Sequence, residues 1–294
     1  MSVRETRAAY GFISPWIIGF IFFTAGPVLA TLVLSFTDYD VLSSPSWSGV
    51  SNYREALSDD KARTALGNTA VYTLMYVPIS ILLGLGIALL LQHAGRARGL
   101  VRNAIYLPVI TPPVATGVLF LLLLNGQDGY VNKILGSLGL PTPYWTSDPA
   151  WIKPGIVLMT LWTVGSVAII LFAALQEVPQ TLLDASAVDG ASTWARFRHV
   201  TLPMISPALF FTTIVNTIAS LQLFSEVYTM YFGAVTTNPP DAALFYVIYL
   251  FEEGFRFLHM GYASALAWLL FLVIAVITAL QMYVGKRFVY YRGQ

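Results

Sequence analysis

Six long apolar runs decide what this chain can fold into: roughly residues 11–36, 69–92, 104–125, 154–175, 205–230 and 262–285. None contains a Lys or Arg, and only the fifth holds an acid, Glu226. A helix needs about 20 apolar residues to cross the hydrocarbon core of a bilayer, and every run reaches that length. The runs are continuous rather than alternating, which excludes a closed β-barrel, the other structure that satisfies its backbone in lipid. The predicted fold class is therefore all-α and integral to a membrane, with six transmembrane helices. Composition agrees, with 11% of residues charged against roughly 25% in a soluble domain. No repeat or low-complexity segment divides the chain, so residues 1–294 are read as a single transmembrane domain.

The stretch from Tyr10 to Phe36 outruns the core of a signal peptide, which is about 7–15 residues long. Thr37, Asp38, Tyr39 and Asp40 follow it in place of a small-residue cleavage site, so it reads as a retained first span. A net charge of +1 offers no clustered basic surface for nucleic acid. The absence of cysteine removes disulfides and thiolate ligands. His93, His199 and His259 are too scattered for metal-ligand spacing. No G-x-x-x-x-G-K-[ST] occurs, so no phosphate-cradling loop of an ATPase is expected here. The chain is expected not to be an enzyme.

Lys and Arg set the expected orientation. With both termini in the cytoplasm, the inner segments hold ten of these residues and the outer segments six. The inner set is Arg4, Arg7, Arg96, Arg98, Arg102, Arg196, Arg198, Lys286, Arg287 and Arg292. The first outer loop, Thr37 to Gly67, carries Trp47 and Tyr53, which suit an interfacial helix. The third run contains Pro108, Pro112 and Pro113. Proline removes a backbone donor and bends a helix, as a packing kink or as a flexible gate element.

The most informative stretch is the cytoplasmic loop, about residues 176–203, between the fourth and fifth runs. It reads as two short helices joined by a turn. Thr181 and Asp184 fit a capping box, and Ala185, Ser186 and Ala187 are small enough for close approach. Gly190 permits a turn of positive φ, after which Ser192 is placed to cap the next helix. Trp194, Phe197 and Val200 follow at i, i+3 and i+6, an apolar stripe that needs a partner. Pro203 is expected to end the element. Arg196, Arg198 and His199 suit either docking or anchorage at lipid headgroups.

In this loop Asp184-Ala185-Ser186, Gly190, Val200 and Leu202-Pro203 keep the spacing of the E-A-A…G…I-x-L-P loop, and the segment resembles that of bacterial ABC-importer permeases. Asp stands in place of Glu and Ser186 in place of the second Ala. Further similarity to the carbohydrate-type permeases of the maltose and glycerol-3-phosphate systems lies in Ser35 to Asp40 with Trp47, Gly49, Asn52 and Tyr53. It continues in Ala173 to Pro179 and in Met260 to Ala265. A loop commonly rich in T-G-G-G-P reads Val235 to Pro240 instead.

The resemblance implies a type I ABC importer permease bundle in an inner membrane. Its implied partners are a second homologous permease subunit, two ATP-binding subunits, an extracytoplasmic sugar-binding protein, membrane lipid and a sugar. ATP and Mg would bind the partner subunits, with no cofactor on this chain. Implied ATPase-coupling residues are Asp184, Ala185, Ser186, Asp189, Gly190, Ala191, Trp194, Phe197, Val200 and Pro203.

For the solute path, Thr213, Asn216 and Ser220 lie within about 60° of one another on a helix. Gln222, Ser225, Glu226 and Thr229 form a second polar group on the same run. Polar groups in lipid turn toward protein or water, so this set suits a sugar path or interhelical hydrogen bonds. On the fourth run, Ser166 adds a hydroxyl, and Trp162 has a ring for a pyranose face or for packing. Hydroxyls and amides without Lys or Arg suit a neutral sugar. An ion- or proton-coupled secondary transporter is the alternative, but such proteins place ionisable groups in several spans. Five of the six runs here have none.

Overall fold

A computed structural model describes residues 3–233 and 239–289, taken with their side chains over 10–233, 239–287 and 289. The side chains of Arg4 and Arg7, residue Arg292, and Val235 to Asn238 of the departing loop lie outside the described residues. Among the described residues, four helices are long and apolar enough to cross a membrane: Tyr10–Leu34, Asp60–His93, Ser206–Phe232 and Met260–Arg287. The two remaining runs are bent pairs. Gly95–Ile110 and Pro113–Leu123 meet at 98°, and Pro149–Leu161 and Gly165–Gln176 at 53°.

The third run is thus no continuous span over 104–125. Pro112 is extended at ψ 137°, as the residue before a proline must be, and Pro113 opens the second helix. In the fourth pair Asp148 caps the first helix by accepting from Ala150 N–H, which starts it at Pro149 rather than at 154. The second run likewise begins earlier than its apolar residues suggest, at Asp60.

Two wide π turns, Ile21–Ala25 and Phe197–Thr201, each precede a proline by two residues. Gly26 and Leu202, the residues just before Pro27 and Pro203, donate five residues back to the carbonyls of Ile21 and Phe197. The wider turn makes room for a ring that would meet the carbonyl four residues back in an α-helix. Pro203 therefore does not end its element. The helix continues through it as Leu202–Met204 and breaks at Ile205.

Contacts divide the chain into two compact units, residues 1–63 with 247–273 and residues 64–246 with 274–294. In the first unit, Thr37–Asp38 pairs antiparallel with Ser46–Trp47, and the helix Ser51–Ser58 follows. Trp47 sits on the strand rather than on an interfacial helix, stacked on Phe36 at 5.8 Å. Buried Asn52 donates from Nδ2 to the carbonyls of Ser35 (3.0 Å) and Thr37 (2.9 Å), and the Tyr53 hydroxyl lies 2.7 Å from that of Ser35.

Gly261 donates its N–H to the Tyr39 carbonyl at 3.1 Å. Any Cβ at Gly261 would collide with the Thr37 carbonyl oxygen, so only glycine fits this backbone crossing. Asp59 ties the same unit together: it caps the Asp60–His93 helix by accepting from Lys61 N–H (2.8 Å) and accepts the hydroxyls of Tyr249 and Tyr262. Burial alone would raise its carboxyl, but the two tyrosines and the Lys61 and Ala62 amides outweigh that and hold it below its ordinary value.

The second unit packs the end of Asp60–His93 against Gly165–Gln176. Ala88 and Leu91 meet Val164, Val167, Leu171, Phe172, Leu175 and Ile205 in one buried cluster. Arg98 closes the end of that long helix, donating to the carbonyls of Leu91 (3.2 Å) and Gln92 (3.0 Å) with its guanidinium 5.8 Å from the Phe172 ring.

Candidate coupling loop and polar cavity

The loop is a helix, a tight turn and a second helix. Gln180–Val188 starts directly after Pro179, which holds the N-cap position without a side-chain bond. The expected capping box is therefore absent: Thr181 lies inside the first turn, and Asp184 accepts from Gln180 Nε2 at 3.0 Å. Pro179 supplies its own extended ψ of 128° and leaves nothing for Thr181 to cap. The turn forms as expected, with Gly190 at φ 77°. Gly190 N–H donates to Ala187 (3.1 Å) and Ala191 N–H to Ser186 (3.0 Å), the paired bonds of a Schellman motif. Ser192 Oγ then accepts from Ala195 N–H at 3.2 Å and caps Thr193–Arg196.

This turn folds the two helices around a groove of about 420 Å³ lined by Leu182, Ala185, Ser186, Asp189, His199, Val200, Pro203 and Met204. Five of the ten residues singled out in the loop thus share one groove. Trp194 stacks on Phe197 at 5.6 Å and stays 67% exposed, while Val188 is 88% exposed. The turn thus leaves large apolar groups exposed side by side, and contiguous exposed apolar patches are a feature of interaction surfaces. Asp184 and Ala191 flank the groove without lining it.

A second cavity, about 300 Å³, lies among the apolar helices. Its lining is polar: Tyr72, Tyr76, Thr160, Thr163, Ser220, Gln222, Ser225 and Glu226, with Ala219, Leu223 and Phe224. Tyr72 and Tyr76, one helical turn apart, stack at 5.5 Å, and Tyr72 donates to Thr160 Oγ1 at 3.0 Å. Tyr76 donates to Asn216 Oδ1 at 3.4 Å, which places Asn216 directly behind the cavity wall. The helix break at Gln222 to Phe224 turns Ser225 and Glu226 into this space.

The sequence-predicted path residues do not form one cluster. Ser220 and Glu226 line the cavity, and Asn216 touches it through Tyr76. Thr213 faces a different, largely apolar groove with Phe210, Leu280 and Gln281. Trp162 and Ser166 flank the break of the fourth pair and are exposed, Trp162 meeting Phe120 edge-on at 6.0 Å. Tyr72, Tyr76, Thr160 and Thr163 line the cavity but are not among the residues the sequence singles out. Their signal was available as tyrosines at i, i+4 within an apolar run, with threonines at matching height on the fourth.

Residues 80–290 match the family described as Binding-protein-dependent transport system inner membrane component. The probable ABC transporter permease protein YesP of Bacillus subtilis is 34% identical across 99% of this chain and 94% of its own length. The lactose transport system permease protein LacF of Rhizobium radiobacter is 34% identical across 94% and 93%. In fold, the chain matches a crystal structure of a bacterial alginate ABC transporter bound to its pentasaccharide-loaded periplasmic protein. The TM-score is 0.82 at 22% identity, over 97% of this chain and 96% of that one. The chain is a multi-pass inner-membrane protein and belongs to the binding-protein-dependent transport system inner membrane components, as a carbohydrate-type ABC transporter permease.

Proposed function

We propose that this chain is one of two permease subunits that together form the sugar path of an ATP-driven importer. An extracytoplasmic binding protein delivers the sugar, and two cytoplasmic ATP-binding subunits hydrolyse ATP with Mg on their own residues. Both termini of this chain face the cytoplasm, and residues 1–294 act as one transmembrane domain. The loop around Gly190 docks on an ATP-binding subunit, with Asp184, Ala185, Ser186, Asp189, Ala191, Trp194, Phe197, Val200 and Pro203 at or beside the contact.

The observation that carries this function is the loop itself: a Schellman turn at Gly190, a Ser192 cap, a groove of small side chains and an exposed Trp194–Phe197 stack. A rigid helical knob of this kind transmits displacement without folding away, as a two-state element biased from both ends requires. Relatives whose named cargoes are lactose and arabinooligosaccharides favour a sugar. The hydroxyl-rich cavity suits one, since tyrosine, threonine, serine and glutamine side chains exchange hydrogen bonds with sugar hydroxyls. Asn216, Ser220 and Glu226 lie on or just behind this wall; Thr213, Trp162 and Ser166 would meet the solute only elsewhere along the path.

Affinity purification of the tagged chain from native membranes in mild detergent tests the assembly. Recovery of an ATP-binding subunit and a second six-span permease is expected. Recovery of the chain alone in every detergent would refute it.

A further inference from the structure

The chemistry of the polar cavity goes one step beyond a sugar path, on which this inference rests. Among the described residues that line it, Glu226 is the single acid, and there is no Lys, Arg or His. The Glu226 carboxylate is half-buried, and among the described residues it accepts no hydrogen bond and pairs with no cation. It lines the same cavity as the stacked phenols of Tyr72 and Tyr76. Every other polar group on the wall is a neutral hydroxyl or amide.

We infer that Glu226 makes this cavity a charge filter: it admits neutral and cationic solutes, such as plain or amino sugars, and turns away anionic ones such as uronates. A neutral sugar can donate its hydroxyls to the free carboxylate lone pairs. An ammonium group would gain a charge partner as well. A carboxylate or sulfonate on the solute would face a like charge within a few ångströms, with no cation on the wall to offset it. Like charges about 4 Å apart, at the effective dielectric of a protein surface, shift an equilibrium by about three orders of magnitude, and by about one order at roughly 12 Å.

The chain has no cysteine, so a single reporter thiol reads the cavity directly. Gln222, exposed at the break and part of the wall, takes the thiol as Gln222→Cys; Ser225→Cys is a second, near-isosteric site. In the assembled complex in permeabilised vesicles, the modification rates of a cationic and an anionic methanethiosulfonate reagent are compared, with the neutral methyl reagent as a measure of access and folding. With Glu226 present, the cation-to-anion ratio should exceed that of a free thiol by at least ten-fold. On the Glu226→Gln background it should fall toward the free-thiol value, while the neutral rate holds. A ratio that Glu226→Gln leaves unchanged at both positions would overturn the filter. The ratio is read without knowing the cargo, so that failure would leave the sugar-importer proposal standing, and loss of the partner subunits in purification would leave the filter standing.

Discussion

Gly190 offers a graded test of the coupling loop, because two causes of its intolerance predict different orders of damage. At φ 77° an L-residue bears the left-handed penalty, roughly 1–2 kcal/mol for alanine and more for a β-branched residue. A Cβ built there meets nothing within 4 Å in this chain, so no internal clash adds to that strain. Asparagine tolerates the left-handed region, and its cost should be a few tenths of a kcal/mol. If Gly190 serves only to shape the docking turn, coupling should fall in the order Asn, Ala, Val. The Ala variant should then populate the docked turn about 5–30-fold less. If a partner surface lies against the glycine, Asn and Val should be equally damaging because both add volume into that contact. The assay is uptake per ATP hydrolysed in proteoliposomes holding the full complex, with thermal unfolding of the complex as a control for folding. Gly190→Val with normal uptake per ATP would refute the docking role under either cause.

Three other outcomes are expected. Gly261→Ala drives a methyl into the Thr37 carbonyl, backbone against backbone, and should cost at least about 1–3 kcal/mol in thermal unfolding; an unchanged melting temperature would contradict the crossing. Asp59→Asn replaces a charged acceptor of two tyrosine hydroxyls and should destabilise by about 1.5–3 kcal/mol at neutral pH. Because the folded Asp59 carboxyl lies below its unfolded value, its contribution is fully present above about pH 4 and is lost as pH falls through the lower folded value. The gap between wild type and Asp59→Asn should therefore close on acidification, and a widening gap would contradict the sign. Asn216→Ala removes the acceptor of Tyr76 at the cavity wall and should weaken sugar uptake while the complex still assembles; unchanged uptake kinetics would remove Asn216 from the path.

Much of this was legible from the chain alone, for identifiable reasons. Hydropathy finds spans because lipid demands length and apolarity, and all six runs are occupied by helices or bent pairs. Gly190 and Ser192 were legible because a left-handed turn and a helix cap each admit few residue types. The capping box at Thr181 failed because a local template competes with the residue before it, and Pro179 already sets the helix start. Pro108, Pro112 and Pro113 signal a kink or gate element within the third run, but composition carries no angle, and the 98° bend goes beyond a kink in one continuous span. Tyr72 and Tyr76 do not stand out in the sequence, because tyrosines one turn apart on an apolar helix also describe ordinary packing. Only the fold sets Glu226 and Thr160 beside them. Thr213 shares a helix face with Asn216 but faces a different groove, since neighbouring helices divide that face between them.

The most direct test of the docking loop is site-specific cross-linking in native membranes. The chain lacks cysteine, so a thiol can be placed at will: Val188→Cys, 88% exposed beside the Gly190 turn, and Leu138→Cys, 67% exposed between the two bent pairs, as the control. A short bifunctional reagent should join Val188→Cys to an ATP-binding subunit and leave Leu138→Cys unjoined to it. Capture of that subunit from Leu138→Cys, with none from Val188→Cys, would contradict both the docking surface and the orientation of the chain.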